Sequence, residues 1–256
     1  MDHPYLDAPQ PLAFAHRGGA ADGDENTAAA FGRAVAMGYR HIETDVHASA
    51  DGVPVVIHDP DLRRVAGQDL RIADLTWADL RTVRIAGESV LPRLDEVLGT
   101  WPETRFNIEV KAGAVVTPAI EAVRRAGAED RVLIGSFDDA RLTRVRALGG
   151  PRIATSIGMR EATRLFAASF TGIRLRPHPS VVAAQLPVRH GRITVLTPRF
   201  VGYLHRLGLA VHVWTVDDPG EINRLLDMGV DGIMTDRIGT LRDVYTARGL
   251  WVAQGD

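Results

Sequence analysis

Short apolar or alternating segments recur along the chain, separated by segments with helical spacing. Eight of them predict β-strands, at 12–16, 41–46, 105–111, 131–136, 152–156, 172–176, 210–215 and 230–235. Helical spacing occupies 26–37, 116–127, 138–148, 159–169 and 217–228, and glycines close several of these segments. Strands that alternate with helices predict parallel βα units, and eight units predict an α/β fold of the closed (β/α)8 TIM-barrel type.

The second unit is longer than an ordinary one. About 45 residues separate the strand at 41–46 from the helix expected to begin near Leu91, and a strand-like run at 53–58 lies between turn signals. We therefore predict a small inserted subregion at about 48–90, on the catalytic face of a single domain that spans 1–256. A second irregular stretch, 176–198, holds four prolines and predicts a long loop with a short strand at 193–196.

Composition narrows the classes of partner. The 256 residues are 45% hydrophobic, which suits one barrel, and the formal net charge is −2. We therefore expect a small-molecule substrate, no nucleic acid and no anionic-membrane surface. The absence of cysteine excludes thiol nucleophiles and cysteine zinc sites.

The targeting signals that a sequence can carry are not evident. Residues 1–10 lack the pattern of a secretory signal, and no apolar run approaches the roughly 20 residues of a membrane span. We expect a cytoplasmic protein without stable membrane insertion; its oligomeric state stays open.

Carboxylates are concentrated at the ends of the second and third predicted strands, where a barrel places its active site. Because side chains alternate along a strand, Glu43 and Asp45 share one face, and Glu109 shares a face with Lys111. The residues beside them are apolar and are expected to face the helices: Ile42, Val46, Ile108 and Val110. Unpaired buried carboxylates are costly, so we predict that Glu43, Asp45 and Glu109 bind one divalent cation, Mg²⁺ or Ca²⁺. The alternative is a network neutralised by Lys111 and a nearby arginine alone, which leaves one carboxylate over.

Arg17 and Lys111 are the candidate anion-binding groups. With three carboxylates and a divalent metal, these two cations leave a site charge of +1, which a singly charged phosphodiester neutralises. Arg17 offers a planar fork and Lys111 a point charge. Lys111 is the only lysine in a chain with 30 basic residues, which indicates a position where arginine does not fit; chance is the alternative.

Two of the nine histidines occupy suggestive positions. His16 closes the first strand and His58 closes the strand of the insertion, so the two imidazoles can take and give the protons of a phosphodiester cleavage. Trp214, at the end of the seventh strand, is a candidate apolar wall for the substrate's alcohol, although packing alone would also explain it. Asn26 and Thr27 either cap the first helix or position the catalytic loop.

The pattern resembles the glycerophosphodiester phosphodiesterase family over nearly the whole chain. The motifs that carry the resemblance are Ala15-His16-Arg17-Gly18-Gly19, Glu25-Asn26-Thr27, Ile42-Glu43-Thr44-Asp45-Val46, His58-Asp59, Glu109-Val110-Lys111, Trp214-Thr215-Val216 and the segment 229–236. The resemblance implies a TIM barrel with an insertion after strand 2, His16 and His58 as the acid/base pair, and Glu43, Asp45 and Glu109 as metal ligands. It also implies Arg17 and Lys111 as phosphate-binding groups. The family usually has proline and asparagine where this chain has Asp24 and Asp217. We expect these two differences to affect the specificity for the alcohol and to leave the metal ligands unchanged.

We therefore predict a metal-dependent phosphodiesterase that releases sn-glycerol 3-phosphate and an alcohol. One alternative is a lysophospholipase D that acts on lipid-tailed diesters, which requires an apolar path that no aromatic-rich segment obviously supplies. The other is a non-catalytic barrel that binds phosphodiesters. The sequence does not decide whether water or a substrate hydroxyl is the nucleophile.

Overall fold

A closed barrel of eight parallel strands forms the centre of the computed structural model, which describes residues 3–85 and 89–252. The strands, numbered in chain order, are β1 Leu12–His16, β2 His41–Ala48, β3 Arg105–Val110, β4 Val132–Gly135, β5 Ala154–Ser156, β6 Val181–Pro187, β7 Ala210–Trp214 and β8 Gly232–Thr235. Each pairs in parallel with its neighbours in chain order, and β1 pairs with both β2 and β8. The predicted TIM barrel is confirmed.

Eight helices follow the strands. They are α1 Ala28–Ala36, α2 Leu94–Thr100, α3 Val116–Arg125, α4 Asp139–Gly149, α5 Met159–Thr171, α6 Pro198–Arg206, α7 Pro219–Met228 and α8 Ile238–Ala247. Side-chain caps set several of their starts: Thr27, Asp138, Thr197 and Asp218 each accept a hydrogen bond from the first turn. Within the described ranges, no helix is both long and apolar enough to cross a membrane.

The sixth strand lies elsewhere than the sequence pattern predicts. The segment 172–176 forms no strand, and Ile173 is exposed there. The strand is Val181–Pro187, inside the stretch expected to be a loop, because its run of valine, alanine and leucine is buried on both faces. Pro179 precedes this strand and Pro187 is its last residue, so neither proline interrupts it. The short strand expected at 193–196 is reduced to Ile193–Thr194, which pairs with Arg189–His190 in a small hairpin.

The core has two layers. Ile42, Val46, Ile108 and Val110 pack in the large cluster between the barrel and the helices, as the alternation along β2 and β3 predicts. The inside of the barrel holds a smaller cluster, whose members include Phe14, Leu133 and Met234 together with Tyr5 from the N-terminal segment. The polar side chains of β1, β2 and β3 that also point inward lie towards the other, C-terminal, end of the barrel.

The insertion between β2 and α2 has a core of its own. Strand Pro54–Val56 pairs antiparallel with β2, and helices Arg63–Ala66 and Trp77–Leu80 and the hairpin strands Arg84–Ile85 and Ser89–Val90 follow. Its buried residues form a separate apolar cluster: Val55, Ile57, Leu62, Ile72, Leu80, Val83, Ile85 and Leu91. The insertion is therefore an independently packed subregion that places His58 at the mouth of the barrel.

Candidate active site

Three carboxylates meet at the C-terminal end of β2 and β3. Asp45 lies opposite Glu109 in the parallel register, and Glu43 is two residues before Asp45 on the same face. One ligand oxygen from each of the three lies within 4.8 Å of the others. Glu43 and Asp45 are buried, while Glu109 is partly exposed. The predicted metal ligands are thus brought together by adjacent strands.

The nearby cationic side chains pair with two of the three carboxylates. Lys111 Nζ lies 3.1 Å from Glu109 Oε2 and 3.3 Å from Asp45 Oδ1, and Arg17 Nε lies 3.4 Å from Asp45 Oδ2. Glu43 accepts only the backbone N–H of Arg17, at 3.2 Å, and lies 3.6 Å from His16 Nε2. Among the described residues, no lysine or arginine side chain pairs with Glu43, so one carboxylate is left over, as the charge count predicts.

The pKa values of the three carboxyl groups follow from this unequal pairing with cations. Burial, with the carboxylate of Asp45 beside it, raises the pKa of Glu43 to about 8. Burial also raises the pKa of Glu109. Burial acts in the same direction on Asp45, but the charges of Lys111 and Arg17 outweigh it and lower the pKa of that carboxyl. The three carboxylates are hard oxygen donors that Lys111 and Arg17 neutralise only in part, and such a cluster fits Mg²⁺ or Ca²⁺ better than zinc.

Both candidate histidines are held by carboxylates through the same ring atom. Nδ1 of His16 lies 2.6 Å from Asp236 Oδ1, and Nδ1 of His58 lies 2.6 Å from Asp59 Oδ1. This hydrogen bond directs Nε2 of each ring away from its carboxylate, and both histidines line the same pocket. Burial works against protonation of His16, but Glu43 and Asp236 outweigh it and raise its pKa.

Asp236 is a site residue that our sequence reasoning did not assign. It follows β8, so the rule that barrel sites lie at strand ends would have found it. Asp217 fixes its backbone, because one oxygen of Asp217 accepts the N–H of Asp236 at 2.8 Å and the hydroxyl of Thr235 at 2.7 Å. Asp217 is therefore a carboxylate that supports Asp236, the hydrogen-bond partner of His16.

Arg64 ties the insertion to the barrel, and no sequence pattern singled it out. Its guanidinium donates to both oxygens of Glu25, at 2.6 and 2.7 Å, and to Asp59 Oδ2 at 2.6 Å. Glu25 also accepts from Arg17 Nη1 at 2.9 Å. The chain of contacts Arg17–Glu25–Arg64–Asp59–His58 thus connects the candidate phosphate-binding arginine with the histidine of the insertion.

The turn after β1 is strained in a way that serves the site. Arg17 and Asn26 have positive φ angles, 53° and 58°, which are uncommon for residues other than glycine. A Cβ on Gly18, whose φ is +82°, would lie 2.7 Å from the Phe31 ring. Thr27 caps α1, whereas Asn26 Nδ2 donates to Asp45 Oδ2 at 3.1 Å. Thr27 is therefore the helix cap, whereas Asn26 contacts the carboxylate cluster.

One pocket of about 420 Å³, within the range of small-molecule sites, is lined by the three carboxylates, both candidate histidines, Arg17 and Lys111. Its two halves differ in chemistry. The half built by β1, β2, β3 and the insertion carries the charged groups, whereas the half built by the loops after β4 to β7 is mostly apolar. Trp214 belongs to the apolar half, where its ring meets that of Phe137 edge to face at 5.4 Å. Trp214 therefore lines the pocket, and its contact with the substrate's alcohol stays a prediction.

Comparison with known proteins agrees with this architecture. Residues 16–240 match the model of the glycerophosphoryl diester phosphodiesterase family. A Mycobacterium tuberculosis protein named "Probable glycerophosphodiester phosphodiesterase 2" is 39% identical over 94% of this chain and 92% of its own length. A crystal structure from Silicibacter pomeroyi superposes with a TM-score of 0.80 at 26% identity, covering 98% of this chain and 100% of that one. An Oleispira antarctica phosphodiesterase, solved with the product sn-glycerol-3-phosphate, has a TM-score of 0.77 at 22% identity and covers 93% and 97%.

Proposed function

The chain belongs to the glycerophosphoryl diester phosphodiesterase family, and we propose that the pocket at the mouth of its barrel is the centre that hydrolyses glycerophosphodiesters. The products are sn-glycerol 3-phosphate and an alcohol. Water adds at phosphorus, the P–O bond to the alcohol breaks, and the departing oxygen takes up a proton. The observation that carries the assignment is two carboxylate-held imidazoles in one pocket with three clustered carboxylates, Arg17 and Lys111.

Glu43, Asp45 and Glu109 would hold one divalent cation, Mg²⁺ or Ca²⁺. When bound, such an ion supplies positive charge that polarises the phosphoryl group and orients the reactants. Arg17 and Lys111 bind the phosphoryl oxygens and stabilise the charge that develops on them. Glu25 accepts a hydrogen bond from the guanidinium of Arg17, and this contact restricts the orientation of the guanidinium.

His16 and His58 move the protons. Because Nδ1 of each ring is engaged by a carboxylate, the neutral ring presents a lone pair at Nε2 and the protonated ring presents a proton there. One histidine therefore takes a proton from the attacking water, and the other gives a proton to the departing oxygen of the alcohol. We assign the role of acid to His58, which the insertion carries over the site.

The test is release of glycerol 3-phosphate from glycerophosphocholine, glycerophosphoethanolamine and glycerophosphoglycerol. Activity should be lost on treatment with EDTA and return with added Mg²⁺ or Ca²⁺. Glu43→Gln should weaken metal binding, measured by calorimetry, while the thermal unfolding of the metal-free protein changes little. Full activity in a rigorously metal-free preparation would contradict the metal assignment. Binding of the diesters without turnover would favour the non-catalytic barrel instead.

A second substrate class is favoured by the apolar half of the pocket. No single segment is rich in aromatic residues, but four separate elements contribute to one wall. They are the segment after β4 with Phe137, helix α5 with Met159 and Phe166, and the ends of β6 and β7 with Leu186 and Trp214. Met159 and Phe166 are seven residues apart on α5 and therefore share a helix face that extends the wall away from the charged half. We propose that a lysophospholipid, whose single acyl chain would lie along this face, is also hydrolysed.

Short-chain lysophosphatidylcholines, used below their micelle concentration, test this second substrate. Burial of one methylene contributes about 0.8 kcal/mol, so kcat/KM should rise by up to about fourfold for each carbon added. Met159→Gln should lower the ratio of lysophosphatidylcholine to glycerophosphocholine turnover. The matched control is Leu148→Gln, since Leu148 is also an exposed apolar residue but lies outside the pocket. A kcat/KM independent of chain length would exclude the acyl-chain site and leave glycerophosphodiester hydrolysis standing.

A further inference from the structure

Charge is separated along the chain in a way that the net charge of −2 conceals. Residues 140–216 contain twelve arginines and a single acidic residue, Glu161. Consecutive units of a barrel are neighbours in space, so this stretch forms one continuous side of the molecule, from α4 through α5 and α6 to β7. Glu161 does not offset the excess around it, because it is paired with the half-buried Arg146 at 2.8 Å.

Ten of these arginines are exposed, and nine of the ten form no ion pair with another described residue. Eight of these nine lie within 159–206, from α5 to α6. They are Arg160, Arg164, Arg174, Arg176, Arg189, Arg192, Arg199 and Arg206. Elsewhere the arginines are commonly neutralised: Arg33, Arg64 and Arg248 have carboxylate oxygens at 2.5–2.6 Å. We call the surface formed by the eight arginines, with the exposed apolar residues Phe170, Ile173 and Ile193, the arginine flank.

The apolar members of the arginine flank are the most exposed large apolar side chains of residues 3–85 and 89–252. Phe170, Ile173 and Ile193 are 58%, 60% and 58% exposed. Arg199 lies over the ring of Phe170 at 5.3 Å, so cation and apolar side chain are directly adjacent. Exposed apolar side chains among unpaired cations favour a partner that offers both negative charge and apolar groups. A nucleic acid backbone would engage the arginines but would give the isoleucines nothing to pack against.

The headgroup region of an anionic bilayer offers both kinds of partner. Lipid phosphates attract the guanidinium groups, and the boundary with the acyl chains accepts aromatic and aliphatic side chains. The arginine flank also reaches the mouth of the barrel, because His190 and Ile193 line the pocket and belong to the same hairpin as Arg189. A surface that holds the bilayer here would bring the open, apolar half of the pocket next to lipid.

We propose that the arginine flank docks the protein on the surface of anionic lipid bilayers, with Phe170, Ile173 and Ile193 entering the headgroup region. Binding is peripheral and electrostatic, so it weakens as salt screens the charges. The proposal concerns a surface outside the catalytic groups and does not depend on the identity of the substrate.

Sedimentation with vesicles tests the docking surface. The protein should bind vesicles of phosphatidylglycerol and phosphatidylcholine in equal parts at low salt and should not bind pure phosphatidylcholine. Each basic residue near a membrane strengthens binding by about fivefold. The triple variant Arg164→Gln, Arg176→Gln and Arg192→Gln should therefore bind on the order of a hundredfold more weakly. These three side chains make no hydrogen bond to other described residues, so the fold should be retained.

The matched control removes the same charge elsewhere. Arg71→Gln, Arg81→Gln and Arg125→Gln alter three exposed arginines outside the flank and should leave vesicle binding within about twofold. Turnover of glycerophosphocholine in solution should be unchanged in both triple variants, which separates docking from catalysis. Equal losses in the two triple variants would overturn the proposal, because they would indicate a general attraction without a defined surface.

The apolar part of the flank has its own test. Phe170→Gln combined with Ile173→Gln should weaken binding by a factor that persists at high salt, since apolar contacts are not screened. Absence of binding to anionic vesicles at low salt would overturn the proposal. So would preferential binding of single-stranded RNA over the vesicles, which would reassign the arginines to a nucleic acid.

Discussion

The histidines buried inside the barrel predict a steep loss of stability in mild acid. The side chains of His41 and His212 are completely buried, and their rings lie 5.1 and 4.8 Å from that of Phe14. Burial lowers the pKa of each to about 3. In the unfolded chain both take up a proton near pH 6.5. The stability that the two neutral rings support is therefore complete above about pH 6.5 and is lost as the pH falls towards 3.

The size of the effect follows from this difference in pKa. Each histidine lowers the free energy of unfolding by up to about 1.4 kcal/mol per pH unit, so the pair should remove about 3 kcal/mol between pH 6.5 and 5. That is a large share of the roughly 5–15 kcal/mol typical of a folded domain. Glu43, whose pKa is about 8, acts in the opposite direction across this window, and the pKa values of His3, His16 and His47 are shifted as well. The contribution of one buried histidine is therefore the difference between the pH profiles of the unmodified protein and of a variant that lacks this histidine.

The variant that tests this reasoning is His212→Leu. Neither ring nitrogen of His212 has a hydrogen-bond partner among the described residues, so an apolar side chain of similar size should keep or raise stability at neutral pH. It should also reduce the loss of stability between pH 6.5 and 5 by about 1.5 kcal/mol, which is half of the contribution of the pair. Urea unfolding followed by circular dichroism at four pH values between about 7.5 and 5 measures both. A destabilisation above about 2 kcal/mol at pH 7.5, with an unchanged pH dependence, would refute the account and indicate that an internal water satisfies the ring.

Three further outcomes concern the catalytic centre. His16→Ala and His58→Ala should each lower kcat/KM by ~10² to 10⁴ with folding retained, and a nitrophenyl diester, whose leaving group needs no proton, should restore most of the rate only to the variant that lacks the acid. Lys111→Met should reduce turnover of glycerophosphocholine and glycerophosphoglycerol by similar factors; a loss confined to one alcohol would move Lys111 to the leaving-group pocket. Arg64→Met should lower kcat about 10- to 100-fold, because His58 would be held less firmly. Arg63→Met should lower kcat little, since Arg63 is on the same turn but pairs, among the described residues, with the exposed Asp69 alone.

The sequence predicts the carboxylate cluster on β2 and β3 better than the position of β6. Period-two alternation is sufficient to place Glu43, Asp45 and Glu109 together, because parallel strands align their C-terminal ends and the pleat fixes which residues share a face. The sixth strand is misplaced because prolines are read as signs of a loop, although at the two ends of a strand they remove no essential hydrogen bond. Local pattern cannot distinguish the two cases.

Contacts that depend on the insertion are also beyond local pattern. Arg64 and Glu25 are 39 residues apart and meet only because the insertion folds over the turn after β1. The uneven distribution of arginine, in contrast, can be read from the sequence, although the net charge of the chain does not show it. The order of the units around the barrel is needed to show that this run of basic residues forms one surface.

Because Lys111, directly after β3, is the only lysine, proteolysis at this one position can measure the opening of the barrel. A lysine-specific protease has one cleavage site in the whole chain, after Lys111. That bond follows a strand bonded on both sides, by β2 and β4, so it becomes accessible only when the barrel opens. Cleavage would yield two fragments of 111 and 145 residues, and the rate at which they appear would report the opening of the central sheet without any label.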